Sequence, residues 1–424
     1  MGRYLGTALF SALTIVFFSM PVLAVKVAAP SSTAMTIQEA WHHVLHDNPS
    51  LKATKNDIQA MQGQQTQANL IPNPTLSYTS ENIEGSGIYH GMASAENTWL
   101  VNQTIEWAGQ RQARKRVADA RYDASLLQYN SYRAALFNQL AQAFLTYAER
   151  KSQWQWSQQA VTVSQRTAIT IQRRVKAGRA SKLELKAAQI VLSDHRLAEK
   201  AALQALESAK YVLMSLWNGS PRGIREVDIT SFGLMPLAPY ATYEQHLLQN
   251  PELSSSQQAL KVTKAQIKLA DKEAFPTITA GIGIRYLRQT NDRAYVAQVS
   301  LPIPLFDRNQ GNRASAKANY YRAENDYQNK FITLKTTLFS LHQQAQQAKR
   351  EMTSLEQAII PKAKQAIKLA QEGYLRGRFS YLDLLNAQQK LLDEQAHAIQ
   401  AAFTYRKTWV LLQVISGQLP EKDE

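Results

Sequence analysis

Three histidines, His42, His43 and His46, crowd one short stretch, and His42 and His46 stand one helical turn apart. That spacing could aim two imidazoles at a metal ion. Two ligands are fewer than a zinc site offers, so the three are read as solvated or packed histidines and no metal site is assigned. The chain has no cysteine, which removes disulfides, thiolate metal sites, iron–sulfur clusters and cysteine nucleophiles. It also has no Gly-rich phosphate loop, no HExxH and no GxSxG. Its carboxylates are dispersed along helix-like segments. The expectation is a protein that is not an enzyme and uses no cofactor.

Two short segments concentrate the remaining chemistry. Gly178-Arg179-Ala180-Ser181-Lys182-Leu183-Glu184 and Gly377-Arg378-Phe379-Ser380-Tyr381-Leu382-Asp383 share one pattern. Glycine suits a left-handed helix end. Serine suits an N-cap, and an acid three residues on completes a capping box at the positive end of the next helix. Each segment therefore reads as a tight turn between two helices. A basic group, Arg111, Arg114, Lys115 and Arg116, has a counterpart in Arg308, Arg313 and Lys317. It would contact lipid headgroups at a membrane boundary or form a solvated helix face.

The elements that position these residues follow from the chain as a whole. It has 424 residues, with 48 Lys and Arg against 33 Asp and Glu, a formal charge of +15. Hydrophobic residues make up 45% and Gly (17) and Pro (14) are scarce, which excludes wholesale disorder and collagen-like sequence. Residues 1–24 have a basic start, an apolar run and small residues before a cleavage point after Ala24, the pattern of a secretory signal. Export makes nucleic acid an improbable partner for the positive charge. No other stretch approaches the roughly 18 apolar residues of a spanning helix.

The chain repeats itself. Asn48-Pro49 matches Asn250-Pro251, Pro74-Thr75-Leu76 matches Pro276-Thr277-Ile278, and Gly109-Gln110-Arg111 matches Gly311-Asn312-Arg313, all at an offset of 202. The two Gly-Arg turns repeat at 199, and Gly219 and Gly417 close the halves at 198. The expected organisation is a signal peptide at 1–24, an N-terminal segment at 25–35, a first repeat at 36–220, a linker at 221–239, a second repeat at 240–417 and a tail at 418–424.

Each half reads as helix, β-hairpin, very long helix, turn, long helix. Leu136, Leu140, Ala143, Tyr147, Trp154, Val161, Ala168, Ile171 and Val175 form one narrow apolar row, and Leu385, Leu392, Ala396, Ile399, Phe403 and Val410 another. Steps of four and three are those of a coiled-coil seam. Residues 110–175 contain no Gly or Pro, whereas Pro361 should kink or break the equivalent helix. Between helices the period falls to two, predicting strands at 75–81, 97–105, 277–288 and 293–301. Ile278, Ala280, Ile282, Ile284 and Tyr286 share one face, and Thr277, Thr279, Gly281, Gly283 and Arg285 the other. That alternation fits lipid on one side and a watery lumen on the other, or a soluble sheet. Four strands cannot close a barrel in lipid, so chains must pool them. Two chains would give a filled eight-stranded barrel, and three a twelve-stranded one with a lumen.

With these features, the chain resembles the outer-membrane efflux family, the TolC-like outer-membrane factors. The duplication, the Pro-x-Leu/Ile entries to the strands, the Gly-x-Arg exits and the Gly-Arg-x-Ser turns carry the likeness. Leu70-Ile-Pro-Asn-Pro-Thr-Leu-Ser-Tyr and Gln103-Thr-Ile-Glu-Trp-Ala-Gly-Gln-Arg are most similar to its CzcC-type heavy-metal branch. The resemblance implies a mainly α fold with a small β part: a homotrimeric α-barrel of long helical hairpins in the periplasm, carrying a twelve-stranded β-barrel in the outer membrane of a Gram-negative cell. It implies a passive export duct that docks on a periplasmic adaptor (membrane fusion protein) fed by an inner-membrane RND-type pump. Gly178, Arg179, Ser181, Gly377, Arg378 and Ser380 would contact the adaptor. Asp383, Asn386 and Tyr374 fall at positions of the family's periplasmic gate, with Asn386 in place of an aspartate and Phe379 in place of an arginine. Arg111, Arg114 and Arg313 would lie at the membrane boundary. The same fold could carry drugs or secreted proteins in place of metals. From another class, a periplasmic adaptor or coiled-coil scaffold would show one hairpin flanked by β-rich domains, where this chain duplicates both hairpin and strand pair.

Overall fold

A computed structural model describes residues 34–219, 226–229, 232 and 236–418. The expected signal peptide, nearly all of the segment at 25–35, much of the linker and all but one residue of the tail lie outside the described residues. Strand β1 (Ala34–Met35) leads into α1 (Ile37–Asp47) and α2 (Pro49–Ala68), followed by β2 (Thr75–Glu81), β3 (Glu96–Ile105), α3 (Gln110–Lys176) and α4 (Lys182–Ser215). Strand β4 (Glu226–Val227) pairs in parallel with β1. The second half repeats the order with α5 (Tyr240–His246), α6 (Pro251–Glu273), β5 (Ile278–Leu287), β6 (Asp292–Ser300), α7 (Gln310–Ser354), α8 (Ile360–Leu375) and α9 (Tyr381–Ile415). None of the described helices is long and apolar enough to cross a membrane.

The long helices form where helix breakers are absent. Helix α3 runs 67 residues, about 100 Å at 1.5 Å per residue. Every member of the two apolar rows is buried or half-buried. Pro361 has the effect its chemistry predicts. A π turn at Leu355–Ile359 precedes it, and α8 restarts at Ile360. Proline offers no N–H to the carbonyl four residues back and its ring clashes there; widening the turn moves that carbonyl away.

One four-stranded antiparallel sheet joins the halves in the order β2-β3-β5-β6. Leu76 and Tyr78 face Val101 and Trp99 across β2–β3, and Ile282 and Ile284 continue the same rows on β5. These side chains are exposed in the single chain, as are Tyr295 and Val299 on β6. On the opposite face Leu100 is buried, lying over Gly281 and Gly283; a Cβ on Gly283 would sit 1.9 Å from the Trp99 carbonyl oxygen. Strands β2 and β6 are the two edges.

At two helix ends the left-handed residue is not the glycine that sequence matching pairs. The left-handed residue that opens α7 is Asn309, 200 residues after Gly109, while Arg111 and Arg313 keep the sequence offset of 202. The left-handed residue that ends α4 is Asn218, not Gly219, and matches Gly417 at 199. Asparagine tolerates this conformation through its short polar side chain, so it substitutes for glycine without leaving a glycine to find.

The main core packs α1 and Leu51 against Leu140, Phe144 and Leu145 of α3, Leu213 of α4, and Phe403 and Val410 of α9. Tyr243, Leu253, Leu338, Tyr405 and Leu412 form its counterpart in the second half. Both cores are closed by an asparagine. Asn48 caps α2 through Leu51 N at 2.8 Å and donates to Leu216 O at 2.7 Å. Asn250 caps α6 and donates to Ile415 O at 2.9 Å. Each thus ties the start of a repeat to the end of its last long helix. Asn48→Ala removes a cap and a buried donor, and should cost about 2 kcal/mol. A depressed thermal midpoint of the purified protein, matched by Asn250→Ala, is the expected measurement.

Candidate functional site

The helix-hairpin turns are built alike. After α3, Gly178 (φ 69°) lets Arg179 N reach Arg174 O at 2.8 Å while Gly178 N reaches Val175 O. After α8, Gly377 (φ 72°) sets Arg378 N on Gly373 O at 2.8 Å and its own N on Tyr374 O. Both are Schellman ends, which satisfy the last carbonyls of a helix. Ser181 and Ser380 then open α4 and α9 with complete capping boxes, to Glu184 and Asp383. The Ser380 side chain and backbone N–H bind the Asp383 carboxylate and hold it below its ordinary range.

The two turns interlock through other residues. Tyr374 Oη donates to Glu184 Oε2 at 2.8 Å, tying the second hairpin to the first. The Arg174 guanidinium lies 4.7 Å from the Tyr374 ring centre and donates to the carbonyls of Leu375 and Arg179. Tyr381 packs beside Tyr374, and both are buried with Ala168, Ile171, Ala188, Ala370 and Leu384. Phe379 covers Gly373 so closely that a Cβ there would meet its ring at 2.1 Å. A groove of about 450 Å³ opens between Arg179, Leu183, Glu184 and Tyr374, Phe379, Leu382. Burial, then the bond to Glu184, push the Tyr374 hydroxyl up to about 12.

The structure brings Tyr374 to Glu184 and Arg174, and not to Asp383 or Asn386. Asp383 is occupied by its own cap, and Asn386 is exposed one turn further along α9. Sequence reading placed Glu184 only as a cap and overlooked Arg174. The 199 offset held the signal: Arg174 aligns with Gly373, and Glu184 with Asp383, so the hairpins present different groups at matched positions.

The arginines after the strands bind helix ends. Arg111 donates to Asn69 O at 2.8 Å. Arg114 grips Glu106 at 2.5 Å and the carbonyls of Ala68 and Leu70; the bond to Glu106 raises its affinity for its proton. Arg313 binds Asp271 at 2.6 Å. The pairs Arg111–Asn69 and Arg313–Asp271 have the same 42-residue separation. At α2 the arginines satisfy carbonyls of the negative C-terminal end, and at α6 Arg313 pairs with the carboxylate of Asp271 in the last turn. The histidines do not converge: His43 stacks on Trp217 at 6.0 Å and His46 Nδ1 meets Asp47 at 2.7 Å. Among the described residues no cluster of three or more His, Asp or Glu could hold a metal.

In the sheet, Arg285 on the glycine-bearing face reaches Glu96 at 3.0 Å and Glu81 at 3.6 Å, and donates to Thr98. That face is polar and charged at one end. The other face carries the exposed apolar rows. A duplicated helical hairpin of this length bearing a short two-faced sheet defines a membrane conduit subunit.

Comparison with known proteins agrees. The profile described as Outer membrane efflux protein matches residues 41–219 and 242–418. The cobalt-zinc-cadmium resistance protein CzcC of Cupriavidus metallidurans is 26% identical over 373 residues, covering 88% of this chain and 86% of its own. Crystal structures of CusC (TM-score 0.79, 17% identical, 90% of this chain and 92% of that one) and of VceC from Vibrio cholerae (0.76, 19%, 90% and 96%) share the fold. The chain belongs to the outer membrane efflux protein family. It is an outer-membrane efflux protein.

The raised hydroxyl of Tyr374 keeps it a donor through neutral and alkaline pH. A tyrosine whose folded value exceeds the ordinary one of about 10 stabilises the fold fully below that value, and loses the contribution as pH rises toward about 12. Absorbance titration of the folded protein at 295 nm, minus that of Tyr374→Phe, should show one phenol titrating near 12. A difference curve centred near 10 would contradict the burial of this hydroxyl.

Proposed function

We propose that three copies of this chain form the outer-membrane duct of a tripartite efflux system that exports heavy-metal cations. The observation that carries the reading is the open sheet. Strands β2 and β6 end it with unpaired backbone edges, and lipid offers those edges no hydrogen bonds. Pairing β2 of one copy with β6 of the next closes twelve strands around a lumen. The exposed rows of Leu76, Tyr78, Trp99, Ile282 and Tyr295 then face lipid. Leu183, Ile190 and Leu197, exposed at seven-residue spacing on α4, are covered by the neighbouring copy's helices.

The turns lie about 100 Å from the sheet along α3, deep in the periplasm. There Gly178, Arg179, Ser181, Gly377, Arg378 and Ser380 meet a periplasmic adaptor loaded by an RND-type pump. The Tyr374–Glu184 bond latches the second hairpin to the first and closes the aperture, with Asp383 and Asn386 on the moving arm. Arg111 and Arg313 brace the helix ends and keep exposed surface that meets headgroups beside the barrel, next to Arg114. Metal cargo is supported by the likeness to CzcC, which extends over most of both chains.

Two measurements test this. Deleting the protein should lower zinc, cobalt and cadmium tolerance at least fourfold; unchanged tolerance to all three removes the metal cargo. The cysteine-free sequence also allows a clean cross-linking scan. Ser77→Cys in β2, combined singly with cysteines along β6, should give covalent dimers and trimers at one register on non-reducing gels. Monomers throughout would rule out the shared barrel. Separately, Tyr374→Phe with Glu184→Gln should raise single-channel conductance in planar bilayers severalfold, and no change would remove the latch.

A further inference from the structure

The two turns of each chain are backbone twins with opposite surface chemistry. Residues 173–186 carry six basic side chains and one acid, while 372–385 carry two of each. At the 199 offset, Arg173, Lys176, Lys182 and Lys186 are replaced by Glu372, Leu375, Tyr381 and Leu385. Arg173, Lys176, Arg179, Lys182 and Lys186 are all exposed and enter no ion pair among the described residues. Helix electrostatics explain part of this, since Arg173 and Lys176 sit in the last turn of α3, where cations are favoured. They do not explain Lys182 and Lys186, which occupy the first turns of α4 at its positive end, where a cation is disfavoured. Charge kept against that local cost points outward.

We infer that the first turn docks on an acidic protein surface, and that the partner's contacts on the first and second turns differ in chemistry. The inference rests on the reading that the tips meet an adaptor. In a trimer the rim then alternates three strongly basic positions with three nearly neutral ones, where Leu375, Phe379 and Leu382 are exposed. A partner with six similar hairpins must seat them in two ways: acidic side chains against Lys176, Lys182 and Lys186, and apolar ones against Phe379. Opposed charge of this density speeds encounter and fixes register, and salt weakens it.

The test uses purified full-length trimers in detergent and the purified adaptor of the same efflux system, immobilised. Expected is binding that weakens at least tenfold between 50 and 300 mM NaCl. Lys176→Glu/Lys182→Glu/Lys186→Glu should abolish it while leaving the trimer intact on unheated gels, and lysines replacing the acids of the adaptor's hairpin tip should restore it. Arg376→Gln/Arg378→Gln should change the salt dependence less than twofold. Salt-insensitive binding shared by wild type and the triple reversal overturns the acidic-surface inference while the docking reading stands. No binding at any salt overturns the docking reading itself. Binding through the tips to vesicles rich in phosphatidylglycerol, with none to the adaptor, overturns both in favour of a lipid contact.

Discussion

A strand edge inside a bilayer has nowhere to place its N–H and C=O groups except on another strand. That constraint shapes the rest of this molecule. Neither repeat contributes enough strands to close a cylinder, so the two hairpins are fused through β3 and β5, leaving one free edge at each end of the sheet. The sheet must then present apolar rows outward and small or polar residues inward, which is the alternation that Ile282 and Ile284 share against Gly281 and Gly283. The helices inherit their layout from the sheet. Helices α3 and α7 start within ten residues of the strand before them, and Arg111, Arg114 and Arg313 fasten those starts to the ends of α2 and α6.

Much of this was legible because duplication supplies an internal control. Two copies of Asn-Pro, of Pro-Thr-Leu/Ile and of Gly-Arg-x-Ser locate equivalent points without any other sequence. Periodicity separated helix from strand because a seam recurs at steps of four and three, whereas a two-faced strand alternates at every second residue. Pro361 was legible as a breaker from its missing donor, though not the π turn it creates, since that depends on how the preceding carbonyls relax. Matching glycines could not locate every left-handed residue. Asn309 and Asn218 hold that conformation, with Gly311 and Gly219 beside them carrying the sequence match.

The candidate site was less legible for a different reason. Its turns are local structures, set by residues within seven positions of one another, and their caps follow from sequence. The interlock is not local. Tyr374 and Glu184 lie 190 residues apart, and nothing in either neighbourhood says which acid the hydroxyl will choose. Asp383 stood nearer in sequence and carried the expected charge, but Glu184, which caps its own serine through Oε1, is the acid whose Oε2 the packing brings to the hydroxyl. Gly373 shows the same lesson in reverse: its lack of a side chain matters because the Phe379 ring lies over it, a contact made by the turn and not by the helix.

The asparagine ties have a consequence for how the chain comes into being. Asn48 must wait for Leu216, 168 residues later, and Asn250 for Ile415, 165 later. Contacts of such long range are slow to form. While the polypeptide is still being delivered, Trp41 and Val44 have no finished wall to pack against, because Leu213 comes halfway along the chain and Val410 near its end. The core of the first repeat therefore closes only once the last helix of the second repeat is present, and until then the apolar face of α1 stays uncovered.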